Sequence, residues 1–303
     1  MATKQRSRNR RSNSRSSSRD RQERYVAPVL DPNWQSPYQP SAHERQANQH
    51  AVRAYALRRR LPFSIAAVVV VGALCAGFVA VVWLPAVGVV VAALYLWDLH
   101  RYLAGFDKRG HALVVSLIDR FKTGGTTEDR QRLGIVLDRL SATFGVNGVV
   151  ALIVEDPGYN AALVPDGAKY SLFVTSSLMS DFELIELEGV VAHLLARERL
   201  GLLARESIAS AMAMNDESRR ALAGSASAYR ADEVAAAAIR YPLGLAGALR
   251  KCAAQVVAAD SYFRSADYAQ SRWIWFNIWS DRDRSDLADL DDAELRALAL
   301  EEW

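Results

Sequence analysis

The stretch from residue 61 to residue 97 holds no charged side chain, which restricts where its 37 residues can lie in a folded protein. A bilayer core takes about 20 helical residues, so the stretch is too long for a single membrane span. Near its middle, Trp83-Leu84-Pro85 combines a residue that favours the membrane interface with one that breaks helices. The sequence therefore predicts a transmembrane helical hairpin over residues 61–103, with spans at 62–82 and 85–102.

The positive charges that flank the predicted hairpin set its orientation. Arg58-Arg59-Arg60 precedes the first span, and Arg101, Lys108 and Arg109 follow the second. The positive-inside rule then places the N-terminus and the C-terminal part of the chain in the cytoplasm, at a bacterial-type plasma membrane. The second span is the less apolar of the two, so full crossing and shallow re-entry both stay open. A single span would instead export the C-terminal part.

Charge is distributed unevenly along the chain. Residues 1–60 hold 14 Lys and Arg against 4 Asp and Glu, although the whole chain has a net charge of only +3. The first 24 residues are almost all Arg, Ser, Asn and Gln, and four prolines follow within residues 26–42. This composition cannot bury enough apolar surface to offset the entropy of ordering. Residues 1–60 are therefore predicted to be a disordered basic tail and linker, of which residues 43–60 look more helical.

Two roles fit the basic tail. The first is a solvated tether that also signals membrane topology. In the second, residues 4–24 bind anionic lipid or nucleic acid through their charge and without sequence specificity. Phosphorylation of the tail serines would weaken such binding. If this segment carries the function, the protein is an electrostatic adaptor.

The remainder of the chain, residues 104–303, predicts helices and strands in separate blocks. Apolar β-branched residues at 149–155 and alternation at 169–175 predict two strands. The aromatic run at 273–279 is interpreted as a core strand, with a partner-binding or membrane-facing patch as the alternative. Helical periodicity covers residues 110–122, 127–144, 182–203, 204–240 and 243–258. Segregated rather than alternating elements predict an α+β fold that is mainly helical with a small β-sheet.

One helical segment has the outline of a zinc-peptidase active site without its chemistry. An H-E-x-x-H site needs two histidines one turn apart, with a glutamate between them as general base. Here His193 is followed by Leu194 at the base position and by Arg197 at the position of the second histidine. A guanidinium has no lone pair to give a metal ion. The only cysteines, Cys75 and Cys252, are too few for a cysteine-ligated zinc site.

Further segments support this interpretation by their order in the chain. They are Arg132 to Leu140, Val149 to Leu163 with Asn160-Ala161 inside it, Glu186 to His193, and Tyr229-Arg230-Ala231-Asp232 with its continuation at 240–251. In this order, and after a membrane hairpin, they resemble the membrane metallopeptidase family of HtpX and the type I CAAX prenyl proteases. The resemblance implies a metallopeptidase-like domain with a zincin (gluzincin) fold at residues 104–303.

Carried over residue by residue, the resemblance implies a site that has lost its metal. The first zinc ligand falls on His193, the general base on Leu194, the second ligand on Arg197 and the third ligand on Ala228. Asp232 matches an acidic residue that supports the ligands in the family. A catalytic zinc keeps three protein ligands, so the loss of two implies no zinc, no other cofactor and no catalytic residue. The expected protein is a pseudo-peptidase.

The side chains that remain in the expected cleft are Asn160, His193, Arg197 and Asp232, which are candidates for binding a ligand. Arg197 could replace the charge of the zinc by bonding Asp232 or a bound carboxylate. The sequence thus predicts a membrane-anchored, non-catalytic binding or scaffolding protein at the cytoplasmic membrane face. A protein or peptide partner would occupy the former substrate cleft. The alternatives are an active zinc-dependent membrane endopeptidase with an atypical site and the electrostatic adaptor.

Overall fold

Helices make up most of the described chain, and the strands form one small sheet. The computed structural model describes residues 38, 42–78, 84–167, 169–212, 214–224, 226–279 and 292–303, so the predicted binding segment 4–24 lies outside it. The chain divides into two units, Met1–Gln35 and Ser36–Trp303, and every described residue lies in the second. The elements in chain order are α1 (Ala42–Phe78), α2 (Leu84–Arg120), α3 (Thr127–Phe144), β1 (Val149–Val154), β2 (Ala161–Asp166), β3 (Lys169–Thr175), α4 (Ser176–Asp181), α5 (Leu184–Arg199), α6 (Leu202–Ala211), α7 (Asp216–Ala223), α8 (Ser227–Ile239), α9 (Pro242–Ala254), α10 (Tyr268–Ser271) and α11 (Ala293–Glu301).

The uncharged stretch does not form the predicted membrane hairpin. Among the residues that the structure describes, no helix is long and apolar enough to cross a membrane. The described part of the stretch lies in α1 and α2, and both helices also include charged turns outside it. The predicted fold class, α+β with a transmembrane hairpin over 61–103, is therefore wrong. The described chain is mainly helical with a three-stranded sheet; of the predicted break at 83–85, Trp83 lies outside the described residues, and Leu84 and Pro85 begin α2.

A bidentate ion pair joins α1 to α2. Arg60 donates from Nε to Asp98 Oδ2 and from Nη2 to Asp98 Oδ1, both at 3.0 Å. Because both side chains are partly exposed, the pair contributes at most about 1 kcal/mol. The far end of α2 is different, since Val114 and Leu117 are buried among aromatic side chains of the C-terminal part. This packing anchors α2 on the remainder of the unit.

The sheet has the strand order β1-β3-β2, with β1 parallel and β2 antiparallel to the central strand β3. Successive side chains of a strand point to opposite faces, so the two faces of the sheet pack into two separate hydrophobic cores. On β3, Leu172 and Val174 enter the main core with α3 and α5, whereas Phe173 enters a second, aromatic core. The strands predicted from the sequence did not include β2, which forms an edge of the sheet.

Helix α5 lies at the centre of the main core, and its residues 189–197 are all buried. It packs against α3, α8 and α9. The close approach of α9 requires a glycine, because a Cβ atom at Gly189 would lie 2.7 Å from the Cα of Leu245. Buried helices of this kind hold their side chains in one geometry, and α5 therefore fixes the residues of the candidate site.

The helices from α5 to α8 are shorter than the sequence predicts. The helix predicted over 182–203 ends at Arg199, and Gly201, with a φ of 65°, leads into α6. A left-handed φ of this kind favours glycine, which has no Cβ atom to clash with the backbone. The alanine-rich stretch 204–240 is divided among α6, α7 and α8.

Candidate functional site

Two helices carry the residues that match the peptidase motif. Helix α5 presents His193 and Arg197 on one face, because residues four apart in a helix lie one above the other. Both side chains are buried, and each residue is 3% exposed. From α8, Ala228 lines the same cavity as His193 and Arg197, and Asp232, one turn further along, contacts His193. Leu194 instead packs in the main core.

The cavity between these residues is very small. Its volume is about 20 Å³, which is room for about one water molecule. Charged side chains dominate its wall, namely Arg197, Glu206, Arg219 and Arg296. A peptide side chain does not fit into a space of this size. In this conformation the cavity is therefore closed to the peptide ligand that the sequence predicted for it.

The first charged cluster joins His193, Asp232 and Arg296, which α11 supplies. His193 Nδ1 lies 2.7 Å from Asp232 Oδ1. Arg296 donates from Nε to Asp232 Oδ2 at 2.7 Å and from Nη2 to Oδ1 at 2.9 Å. Bidentate contacts of this kind are the strong form of the arginine–carboxylate interaction. The cluster therefore ties α5, α8 and α11 together.

Burial decides the protonation state of this cluster. Burial lowers the pKa of His193 below its ordinary value and outweighs the opposing effect of Asp232. For Asp232, burial alone would raise the pKa, but Arg296 and His193 lower it below its ordinary value. At neutral pH the imidazole is thus uncharged beside an ionised carboxylate. Nδ1 therefore carries the hydrogen and donates a hydrogen bond to Asp232. His193 Nε2 keeps a lone pair.

The second charged cluster is centred on Glu206 of α6. Arg197 donates to Glu206 Oε2 from Nε at 2.7 Å and also from Nη2. The other carboxylate oxygen of Glu206 accepts from Ser227 Oγ at 3.3 Å and lies 3.8 Å from Arg219 Nη1. Arg219 in turn stacks on the indole ring of Trp273, 4.4 Å from its centroid. The Arg197 charge is therefore neutralised inside the protein.

The expected pair between Arg197 and Asp232 is not formed. Arg197 bonds Glu206, and Asp232 bonds Arg296 and His193. The prediction is wrong because the sequence motif names no candidate for either true partner. Glu206 stands outside the motif on α6, and Arg296 is 103 residues away from His193. One signal was available, since Arg296 is the only basic residue in the apolar helix α11.

Residues 273–279, here named the strap, belong to the C-terminal part of the chain and cover one side of the site. Arg197 donates to the carbonyl oxygens of Ile274 at 2.6 Å and Trp273 at 2.8 Å. Arg296 donates to the carbonyl oxygen of Phe276 at 3.2 Å, and the ring of Phe276 packs edge-on against His193. The strap was predicted as a core strand. It is buried, but it consists of a short 3₁₀ turn followed by one isolated β-bridge.

Asn160 does not line the cavity but holds the strap. Its Nδ2 donates to the carbonyl oxygen of Asn277 at 2.8 Å, and its Oδ1 accepts from the Asn277 N–H at 3.0 Å. The residue is 1% exposed, and it immediately precedes β2. Asn160 and the two arginines therefore contact the same segment from two sides.

The donor set does not suit a zinc ion. Of the side chains at the three positions of the metal ligands, only His193 offers a lone pair, because Ala228 has no donor atom and Arg197 is a cation. The nearby carboxylates, Glu206 and Asp232, are already bound to guanidinium groups. Among the described residues, no three histidine, cysteine, aspartate or glutamate side chains are grouped so that they could hold a metal ion.

Comparison with known proteins leaves the ancestry of the chain open. The chain matches no protein-family model, no curated protein and no solved structure with which it was compared. The resemblance to the HtpX family therefore stays a prediction from the sequence.

Proposed function

We propose that this protein is a non-catalytic, peptidase-like binding or scaffolding protein. The observation that carries the proposal is the position of Arg197. At the place where the motif requires a second metal ligand, this side chain neutralises Glu206 and bonds the carbonyl oxygens of Trp273 and Ile274. In the resembled family this position holds a metal ligand. In this chain Arg197 instead holds residues 273 and 274 in place.

The charges of the site support the same conclusion. A catalytic zinc would supply positive charge and an activated water molecule. Here two guanidinium groups supply the positive charge, and each is bound to a carboxylate. A guanidinium is always protonated, so it cannot act as general base. Leu194 at the base position has no titratable group, and the neutral His193 has its Nδ1 proton directed to Asp232. His193 Nε2 keeps a lone pair, but the motif positions supply neither the glutamate base nor the set of metal ligands that zinc-dependent hydrolysis requires.

Metal analysis tests the proposal directly. The full chain is expressed with zinc in the medium, and its metal content is measured by mass spectrometry for the native protein and for His193→Ala. We expect a zinc content well below one per chain and equal in both proteins. Degradation of an unfolded substrate such as casein should also match a protein-free control. Stoichiometric zinc that disappears in His193→Ala, together with proteolysis, would establish an active metallopeptidase instead.

A second candidate function rests on the basic tail. Residues 1–60 carry 14 basic against 4 acidic residues, which favours an adaptor that binds polyanions by charge. Such binding should weaken steeply as salt is added, because it releases counterions from the polyanion. Deletion of residues 2–24 should abolish the salt-sensitive retention of the protein on heparin or RNA. Retention that is unchanged by the deletion would exclude this role for the tail.

A further inference from the structure

The strap reaches the edge of the sheet through one isolated antiparallel bridge. β2 is an edge strand, so the outer row of its backbone groups is available for pairing. Trp275 forms an antiparallel bridge with Ala162, and the Phe276 N–H donates to the Ala161 carbonyl oxygen at 2.8 Å. This is the geometry in which proteins recognise extended peptides by adding them to a sheet edge.

Three side chains form hydrogen bonds with the backbone of the strap. Arg197 bonds the carbonyl oxygens of residues 273 and 274, and Arg296 bonds that of residue 276. Asn160 makes a two-point contact with the N–H and the carbonyl oxygen of residue 277. None of these contacts depends on the side chains of the strap. They would therefore hold the backbone of another segment that makes the same 3₁₀ turn at residues 273 and 274 and is extended after it.

Two aromatic side chains of the strap give the recognition its selectivity. Trp275 enters the aromatic core, where its ring meets that of Phe263 at a centroid distance of 5.0 Å. Phe276 points the opposite way, with its ring 5.1 Å from that of His193. Successive residues of a strand point to opposite faces, so each aromatic residue has its own pocket. Both residues are almost fully buried, at 2% and 1% exposure.

We propose that the β2 edge, together with Asn160, Arg197 and Arg296, is a binding site for an extended peptide strand with two successive aromatic residues, and that the strap is its internal ligand. A partner strand of the same chemistry binds only when the strap leaves the edge, so the site is autoinhibited. The inference deepens the proposed binding role and rests on it. Its experiments measure strand binding rather than metal content, so the two proposals can fail separately.

Hydrogen exchange in the full chain tests whether Asn160 holds the strap. In Asn160→Ala, the amides of Phe276 and Asn277 should exchange about tenfold faster than in the native protein, because the two contacts with residue 277 are lost. The amides of β3 should keep their exchange rates. Strap amides whose exchange is unchanged, or exchange that rises equally throughout the sheet, would overturn the assignment.

Binding in trans tests the site itself. Asn277→Pro removes the N–H that bonds Asn160, whereas the matched variant Asn277→Ala keeps it. The probe is a fluorescein-labelled synthetic peptide of residues 271–279, and its control carries alanine at positions 275 and 276. We expect saturable binding of the probe to Asn277→Pro, at least about tenfold weaker binding to the native protein and to Asn277→Ala, and no binding of the control peptide.

Two outcomes of this experiment would contradict the proposal. The first is an Asn277→Pro variant whose strap amides exchange freely but which fails to bind the probe. The second is equal binding of the probe and the alanine control. If Asn277→Pro leaves the strap protected, Phe276→Pro removes the bond to Ala161 and is tested in the same way. A probe that binds neither variant, once hydrogen exchange shows either strap to be open, overturns the site.

Discussion

The charged side chains of the site are buried as ion pairs. The side chains of Arg197 and Glu206 are 4% and 6% exposed, and those of Arg296 and Asp232 are 2% and 3% exposed. Removing both ions from water costs about as much as their attraction returns, so such a pair stabilises the fold little relative to apolar residues. Removal of one partner is different, because it leaves a buried charge without compensation.

The pair of Arg197 and Glu206 should show this asymmetry. We expect Arg197→Met to lower the free energy of unfolding by about 3–5 kcal/mol, because Glu206 then stays buried with only the longer ionic contact to Arg219 at 3.8 Å. The double variant Arg197→Met/Glu206→Gln should recover at least about 1 kcal/mol relative to the sum of the single variants. Urea unfolding followed by tryptophan fluorescence measures both values. Strictly additive losses would mean that the two residues do not interact.

His193 should make the stability of the protein depend on pH. Its pKa is lowered in the folded state, so below about pH 6.5 the unfolded chain binds a proton that the folded chain does not bind. The free energy of unfolding should therefore fall as the pH falls below about 6.5, by at most about 1.4 kcal/mol per pH unit from this group. Asp232, whose pKa is also lowered, adds a further loss below about pH 3.9.

The pH effect can be assigned to His193 with a matched pair of variants. His193→Asn keeps an N–H donor for Asp232 but cannot titrate, so its stability should decline less between pH 7 and pH 5 than that of the native protein. The exposed His111, replaced in the same way, serves as the control. Thermal unfolding at a series of pH values gives the comparison. Parallel curves for the native protein and His193→Asn would rule out the buried histidine as the cause.

At the scale of helices, the contact between α5 and α9 depends on Gly189. Glycine to alanine within a helix normally raises stability by up to about 1 kcal/mol. At Gly189 we expect the opposite, a loss of about 1–3 kcal/mol, because the new Cβ atom would meet the backbone of Leu245 at 2.7 Å. Gly134 in α3 is the control, since its added Cβ atom has nothing within 4 Å. Chemical denaturation should give opposite signs for the two substitutions.

Helix α11 is held by one buried and one exposed arginine contact. Arg296→Met should lower the free energy of unfolding by about 3–5 kcal/mol and expose the amides of α11 to hydrogen exchange, because Asp232 loses its cation. Arg250 bonds Glu301 at the surface, and Arg250→Met should change stability little, since exposed ion pairs contribute little. If Arg296→Met changes stability as little as Arg250→Met, α11 docks through its apolar residues alone.

For the whole molecule, the sequence predicts local structure better than it predicts tertiary contacts. The periodicity of residues 127–144 and the β-branched run that begins at Val149 predict α3 and β1 correctly, because these signals are local. The motif also names three residues that do meet at one cavity, namely His193, Arg197 and Ala228. Helical spacing and the order of the family segments were sufficient for this part.

Most features that the sequence did not predict arise from contacts between distant segments, whereas Arg197 and Glu206 are nine residues apart but lie on different helices. Arg296 reaches Asp232 across 64 residues, and Asn160 reaches Asn277 across 117 residues. No periodicity links such pairs, so the two ion-pair clusters and the strap became visible only in the structure. The membrane hairpin is a different case. The division of the uncharged stretch between two helices was predicted, but the absence of charge over residues 61–97 does not reveal that both helices extend well beyond it.

The reach of Arg296 has a consequence for the order in which the protein can fold. Asp232 and His193 need this guanidinium to be buried at low cost, and it lies 64 and 103 residues further along the chain. During synthesis, α5 and α8 emerge long before their counter-charge exists. The native packing of the main core, to which Ala293, Ala297 and Leu300 of α11 also belong, is therefore complete only after residue 296 has been made. Contacts of such long range also slow the folding step itself.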